Sequence, residues 1–291
     1  MLLQQIWNGL SLGMAYALIA VGYSLVFGIL RLVNFSHGAV YAFGAHMVIF
    51  FLSFQVGLLP AIFLGVILSG ILGIVIDYIA LKPLRKKQSP PIASLITTIG
   101  VSYIIQNLLM IGFGSEKKPF PALFQYKMIH ILGVQVNTMQ LIMFIVSILL
   151  LLLLTFIVQG TKIGLAMRAV EQNTKSAGLM GIHTNGIIAF TFFLGGASAS
   201  IASILISGYY QIVYPTMGFM VGLKAFAAAV LGGIGVFYGS VVGGLVIGVT
   251  ESLAATVLGS SYRDSIAFLI LIIVLVIRPS GLFGKKGVEK V

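Results

Sequence analysis

The sequence predicts an all-α fold: a polytopic transmembrane helix bundle of about eight to nine spans, some broken at glycines, forming a single domain. Three observations carry this. Hydrophobic residues make up 59% of the chain and charged residues 8%, too few for a soluble domain, which carries about 25%. Apolar stretches of near the roughly 20 residues that a helix needs to cross the hydrocarbon core follow one another along the whole length. The 35 glycines often recur every fourth residue, the spacing that lets helix backbones approach closely in lipid.

The spans fall near 9–30, 38–56, 60–81, 92–112, 140–158, 186–208, 221–235, 239–258 and 264–278. The first has no basic residues ahead of it and runs on past Ala20 to Leu30, so it reads as a retained span and not as a cleaved signal. The seventh is short, and with the eighth it could form a broken pair. Small-residue ladders mark the packing faces: Gly65, Ser69, Gly73 and Asp77; Gly195, Ala199, Ser203 and Ser207; Gly235, Gly239 and Gly243, with Gly244 and Gly248 beside them.

The net charge of +11 then reads as topology, because cytoplasmic loops collect Lys and Arg; no nucleic-acid partner is expected. Arg31, the Lys82–Lys87 cluster, Lys162, Arg168 and Lys175, and the terminal Arg278, Lys285, Lys286 and Lys290 all fall on one side if the spans alternate. That places the N-terminus outside and the C-terminus in the cytoplasm. The loop over 113–139 is then external, either a solvated connection or a surface for an extracytoplasmic partner.

The longest polar interval between two spans, Gln159–Thr184, has helical grammar of its own. Thr161 is a candidate N-cap, and Arg168, Glu171, Gln172 and Lys175 share a face. Leu165, Met167, Ala169, Val170 and Leu179 offer an apolar side to the bundle, and Gly178 and Gly181 are stops. Such a segment is either a docking element for a soluble partner or a surface helix joining two spans.

Chemistry-bearing residues are few. The chain has no cysteine, and its histidines, His37, His46, His130 and His183, show no ligand spacing, so neither a metal site nor catalytic residues are expected. No phosphate-binding loop exists, so the chain does not bind ATP as its own cofactor. Glu251 is the deepest charge, suited to lining a path, carrying a proton or tying helices together. Asp77 is within reach of Lys82 as an ion pair, and Asp264 falls at the outer surface. Two polar or glycine-rich interruptions, RLVNFSHG (Arg31–Gly38) and GGIGVFYGS (Gly232–Ser240), sit in opposite halves, the pattern that points to a transporter's substrate region.

Four segments in order, GLSLGMAYALIAVGYSLVFGILRLVNFSHGAVYAFGA, GLAMRAVEQNTKSAGLMGI, LGGIGVFYGSVVGGLVIGVTES and YRDSIAFLILIIVLVIRPSGLFG, make the chain similar to permease subunits of bacterial ABC importers for branched-chain amino acids. The resemblance covers nearly the whole length. It implies one permease domain over 1–291 in the bacterial inner membrane, with a coupling helix within 159–184. The implied partners are a second, related permease, two cytoplasmic ATP-binding subunits that supply ATP hydrolysis, and an extracytoplasmic solute-binding protein. Gly164, Arg168, Glu171, Lys175, Gly178 and Gly181 would then form the coupling element. The segment Glu171-Gln172-Asn173 is less acidic than the family pattern. Asn34, His37, Tyr41, Thr97, Thr98 and Glu251 are polar enough to line the path. Similar permeases serve urea, short amides and other small solutes, and an ion-coupled secondary transporter could also use Glu251 and glycine-broken helices.

Overall fold

The computed structural model describes residues 2–124, 127–131, 133–259, 262–278 and 280–284. Lys285, Lys286 and Lys290, part of the positive-inside reading, lie outside them. The chain runs α1 (Leu2–Leu30), α2 (His37–Ser53), α3 (Leu58–Ile76), a π-helical turn (Asp77–Leu81), α4 (Lys82–Lys86), α5 (Pro91–Phe113), β1 (Lys118–Pro119), β2 (Met128–Ile131), β3 (Val134–Asn137) and α6 (Thr138–Gly160). It continues with α7 (Lys162–Gln172), α8 (Thr174–Leu179), α9 (Thr184–Tyr210), β4 (Ile212–Val213), α10 (Met217–Gly232), α11 (Phe237–Val257) and α12 (Arg263–Ile277). Among the described residues, six helical stretches are long and apolar enough to cross a membrane: α1, Leu58–Lys86, α5, α6, α9 and α11. The apolar α2 and α10 are shorter. This is the build of a polytopic helical membrane protein.

One end of the bundle carries the β2–β3 hairpin and the other the α7–α8 loop. The Gln4 side chain donates to the Gln135 carbonyl (2.7 Å) and accepts from its N–H (2.8 Å), which ties the start of α1 to the hairpin. At its far end α1 meets the α10–α11 turn, where Ser24 Oγ lies 2.5 Å from Ser240 Oγ. Helix α9 leaves the α7–α8 end and finishes beside the antiparallel β1–β4 pair, so it runs opposite to α1. The segment 113–139 is more than a solvated connection: Phe120 is buried, and its N–H donates to the Gln211 carbonyl across that pair.

The two halves repeat. Arg31 and Gln211 are both left-handed in backbone conformation (φ 52° and 55°) and lie 180 positions apart (31 to 211). Gln55 and Gly235, again 180 apart (55 to 235), both turn with positive φ. Helices α1, α2 and α3 therefore correspond to α9, α10 and α11, with the chain direction inverted. The helices that follow the left-handed residues, α2 and α10, touch where they begin: a Cβ on Gly38 would strike the Gly218 carbonyl, and one on Gly218 would strike the Gly38 carbonyl. The true mate of RLVNFSHG is thus QIVYPTMG (Gln211–Gly218), and GGIGVFYGS is the α10–α11 turn. The sequence reading paired the wrong interruptions because it followed glycine density, whereas the shared feature is a backbone reversal.

The α1–α11 crossing is built from glycine on both sides, Gly9 and Gly13 against Gly244 and Gly248. No side chain stands between the two backbones, so dispersion contacts and close approach replace the hydrophobic drive that lipid removes. Asp77 pairs with Arg85, not with Lys82. The extra residue of the π turn makes an eight-residue separation span about two helical turns, which lines Arg85 up with Asp77. Lys82 instead sits over the Tyr78 ring, 4.3 Å from its centroid.

Candidate functional site

Near the hairpin end, four charged side chains from three helices converge. Glu251 on α11 is 1% exposed and Lys224 on α10 is 6% exposed; Lys224 Nζ lies 3.0 Å from Glu251 Oε1 and 2.5 Å from Asp264 Oδ1. Arg263, in the first turn of α12, brings Nε to 2.8 Å from the same Oε1 and donates through a second nitrogen to the Tyr210 hydroxyl (3.2 Å). The Tyr16 hydroxyl donates to Oε1 at 3.3 Å. A buried charge is costly unless paired, and here two cations and two anions cancel. Asp264 is not a bare surface group but the half-exposed end of this network.

The network walls a cavity of about 330 Å³. Tyr41, Ser207, Tyr214 and Lys117 add polar groups, and Ile206, Met217, Met220 and Val221 make an apolar side. Of the residues singled out from sequence, Tyr41 and Glu251 meet here. The others do not. Asn34 accepts from the Ser36 N–H (3.1 Å) and hydroxyl (2.5 Å), shaping the turn into α2. Thr98 accepts from the Phe35 N–H (3.2 Å) on the same turn. His37 is buried edge-on to Tyr23, with ring centroids 4.6 Å apart, and its Nε2 has no hydrogen-bond partner among the described residues. Thr97 is half-buried on α5 and lines neither cavity described here. A second cavity of about 310 Å³ lies across the Gly38–Gly218 contact, lined by Phe35, Ser102, Gln106 and Phe219 among others.

Sequence reasoning singled out Glu251 and did not join it to Lys224. Two lone charges of opposite sign on apolar helices were the available signal, since neither is tolerated alone in lipid.

The loop at the other end is two helices and not one. Thr161 caps α7, accepting from the Gly164 N–H at 3.0 Å, and Asn173 ends α7 and caps α8, accepting from the Ser176 N–H at 3.0 Å. Gly164 packs so closely on the Ile157 and Val158 carbonyls that a Cβ has no room. Arg168 donates to the Val158 carbonyl, and with Glu171 it lines a cavity against Gly28 and Gly235. Met167 and Val170 are buried as expected, but Leu165 and Leu179 are not: Leu179 is 89% exposed and the neighbouring Met180 83%. The break at Asn173 redirects the chain and turns Leu179 outward, whereas Leu165, ahead of the break, is exposed on α7 itself. Lys175 and Gly178 are exposed on α8, and Gly181 takes a left-handed turn after it (φ 85°).

Residues 5–275 match the family described as branched-chain amino acid transport system / permease component. The chain belongs to that family. It is 39% identical to the high-affinity branched-chain amino acid transport system permease protein LivH of Salmonella typhimurium, over 99% of this chain and 97% of that protein. It is likewise 39% identical to BraD of Pseudomonas aeruginosa, the permease protein of a system of the same description, over 99% and 98%. Among solved structures, PsaBC from Streptococcus pneumoniae in complex with Fab aligns with a TM-score of 0.52 at 16% identity, covering 95% of this chain and 92% of that one; this likeness concerns the fold. In this permease the family match takes in both inverted triads, the charged cavity and the α7–α8 loop.

Proposed function

We propose that the chain is a membrane permease subunit of an ATP-driven importer that moves branched-chain amino acids inward. The observation that carries this is the full-length likeness to LivH and BraD. The partners in this reading are a second permease, two cytoplasmic ATP-binding subunits and an extracytoplasmic solute-binding protein. The chain itself makes and breaks no bond. It crosses the membrane eight or nine times on this view, with α2, α10 and α12 joining the six longer stretches. The hairpin end and N-terminus face out, and the α7–α8 end faces the cytoplasm, where Arg31, Arg85, Lys162, Arg168 and Lys175 gather.

In this reading α7 and α8 dock into an ATP-binding subunit. Arg168 and Glu171 fasten the loop to the bundle, and the outward Leu179 and Met180, beside Lys175, meet the partner. Closure of the ATP-binding pair would move the loop, and through α6 and α9 would tilt the two triads about the Gly38–Gly218 contact. Leucine uptake and ATP hydrolysis in vesicles holding the full complex test this. Leu179→Ala with Met180→Ala should leave hydrolysis in place and cut uptake at least tenfold. Uptake at the wild-type ratio to hydrolysis would remove the docking role from this ridge.

A further inference from the structure

The Glu251 carboxylate is used unevenly. Tyr16 and Lys224 both donate to Oε1, and Arg263 Nε sits 2.8 Å from it, yet Oε2 is buried with no partner among the described residues. The Arg263 Nε–H is also without a hydrogen-bond acceptor among the described residues, since its closeness to Oε1 lacks the alignment of a bond. A network built only to hold helices together satisfies its members, because a buried polar atom left bare is expensive. Here one anionic oxygen and one cationic N–H stay bare, and both residues line the same cavity, with Ile206, Met217 and Val221 across from them.

We propose that this cavity is a docking site for a zwitterionic aliphatic amino acid within the permease itself, with Glu251 Oε2 accepting from the α-ammonium, the Arg263 Nε–H donating to the α-carboxylate, and Ile206, Met217 and Val221 packing on the side chain. The inference rests on the amino-acid reading above and adds a site to it. The charges of the four-residue network sum to zero, so a zwitterion enters without leaving a net charge buried. An amine lacking the carboxylate, or an acid lacking the ammonium, brings an uncompensated charge into a place that penalises it.

The test uses the assembled transporter in lipid nanodiscs without solute-binding protein, with radiolabelled L-leucine as probe. Leucinamide and 4-methylpentanoate should each displace it at least tenfold more weakly than leucine does. Glu251→Gln should weaken leucine at least tenfold and narrow its advantage over 4-methylpentanoate, because the ammonium has lost its counter-charge. Val221→Trp fills the apolar side without touching the ion pairs; it should abolish leucine binding with an unchanged melting temperature, which covers the case in which Glu251→Gln fails to fold. No displaceable leucine in the wild type, equal competition by all three compounds, or wild-type affinity in Val221→Trp overturns the site. If vesicle uptake of leucine is normal in those circumstances, the importer reading stands and only the site falls. If the wild-type complex takes up no branched-chain amino acid, the importer reading falls as well.

Discussion

The α1–α2–α3 and α9–α10–α11 triads repeat the same order of helices and turns at an offset of 180 residues, and they part company in chemistry. Both short helices begin after a left-handed residue, Arg31 or Gln211, and both lead into a positive-φ turn, at Gln55 or Gly235. Yet Gly44 stands where the other half has Lys224, and Ile71 where it has Glu251. The α1–α11 crossing puts glycine on glycine, while its mate, α3–α9, sets Gly70 against the Phe193 ring and Gly73 against the Phe192 carbonyl. The halves share the left-handed turns and the Gly38–Gly218 contact, while the helix crossings and the charges differ. Turn geometry is common to both halves and buried charge is confined to one, so the charged cavity does not follow the pseudosymmetry of the scaffold.

The strongest way to break the comparison is at the contact both halves share. Gly38→Val and Gly218→Val each drive a side chain into the facing carbonyl, at a cost of about 3 kcal/mol or more. Both should lose the monodisperse peak in detergent size-exclusion chromatography, whereas Gly100→Ala, with nothing near its Cβ, should elute as wild type. A normal peak for either valine variant means that the halves do not bear on each other there.

Next in size is the charge found only in the second half. Lys224→Met leaves Glu251 and Asp264 without their shared cation, and breaking such a buried network costs about 3–5 kcal/mol. Its thermal midpoint should fall well below that of Lys224→Arg. Equal midpoints would assign Lys224 a packing role through its aliphatic stem.

Smaller effects sharpen the picture. Asn173→Ala removes the α8 cap and should cost about 1 kcal/mol, seen as faster proteolysis confined to the α7–α8 loop. Ser24→Ala removes the hydroxyl contact to Ser240, which has no equivalent at Ile204 in the other half. It should cost about 1 kcal/mol or less, and a larger drop in denaturant midpoint would show that the α10–α11 turn depends on that single contact.

Much of this was readable from residues alone. The apolar lengths placed most helices to within a few residues, because a bilayer core admits little else, though α1 begins at Leu2, seven residues before the expected start. The Thr161 cap, the left-handed turn at Gly181 and the isolation of Glu251 among apolar residues followed from local rules that need no neighbours. The loop's apolar residues did not sort correctly, since the Asn173 break rotates α8 after α7 and sends Leu179 outward. Asp77 found Arg85 because one inserted π-turn residue changed the register, a shift no side-chain pattern announces.

Composition and periodicity determined by themselves that this is a multi-span helical membrane protein with an internal polar loop, because the free energy of placing apolar or charged groups in lipid depends on the residue and not on its partners. Only the tertiary structure decided that RLVNFSHG answers QIVYPTMG, that Lys224, Glu251, Arg263 and Asp264 share one network, and that Arg168 turns inward. Each of these depends on which backbone comes near which, across separations of 27 residues for Lys224 and Glu251 and far more for Tyr16 and Glu251. Such encounters are set by the packing of the whole bundle.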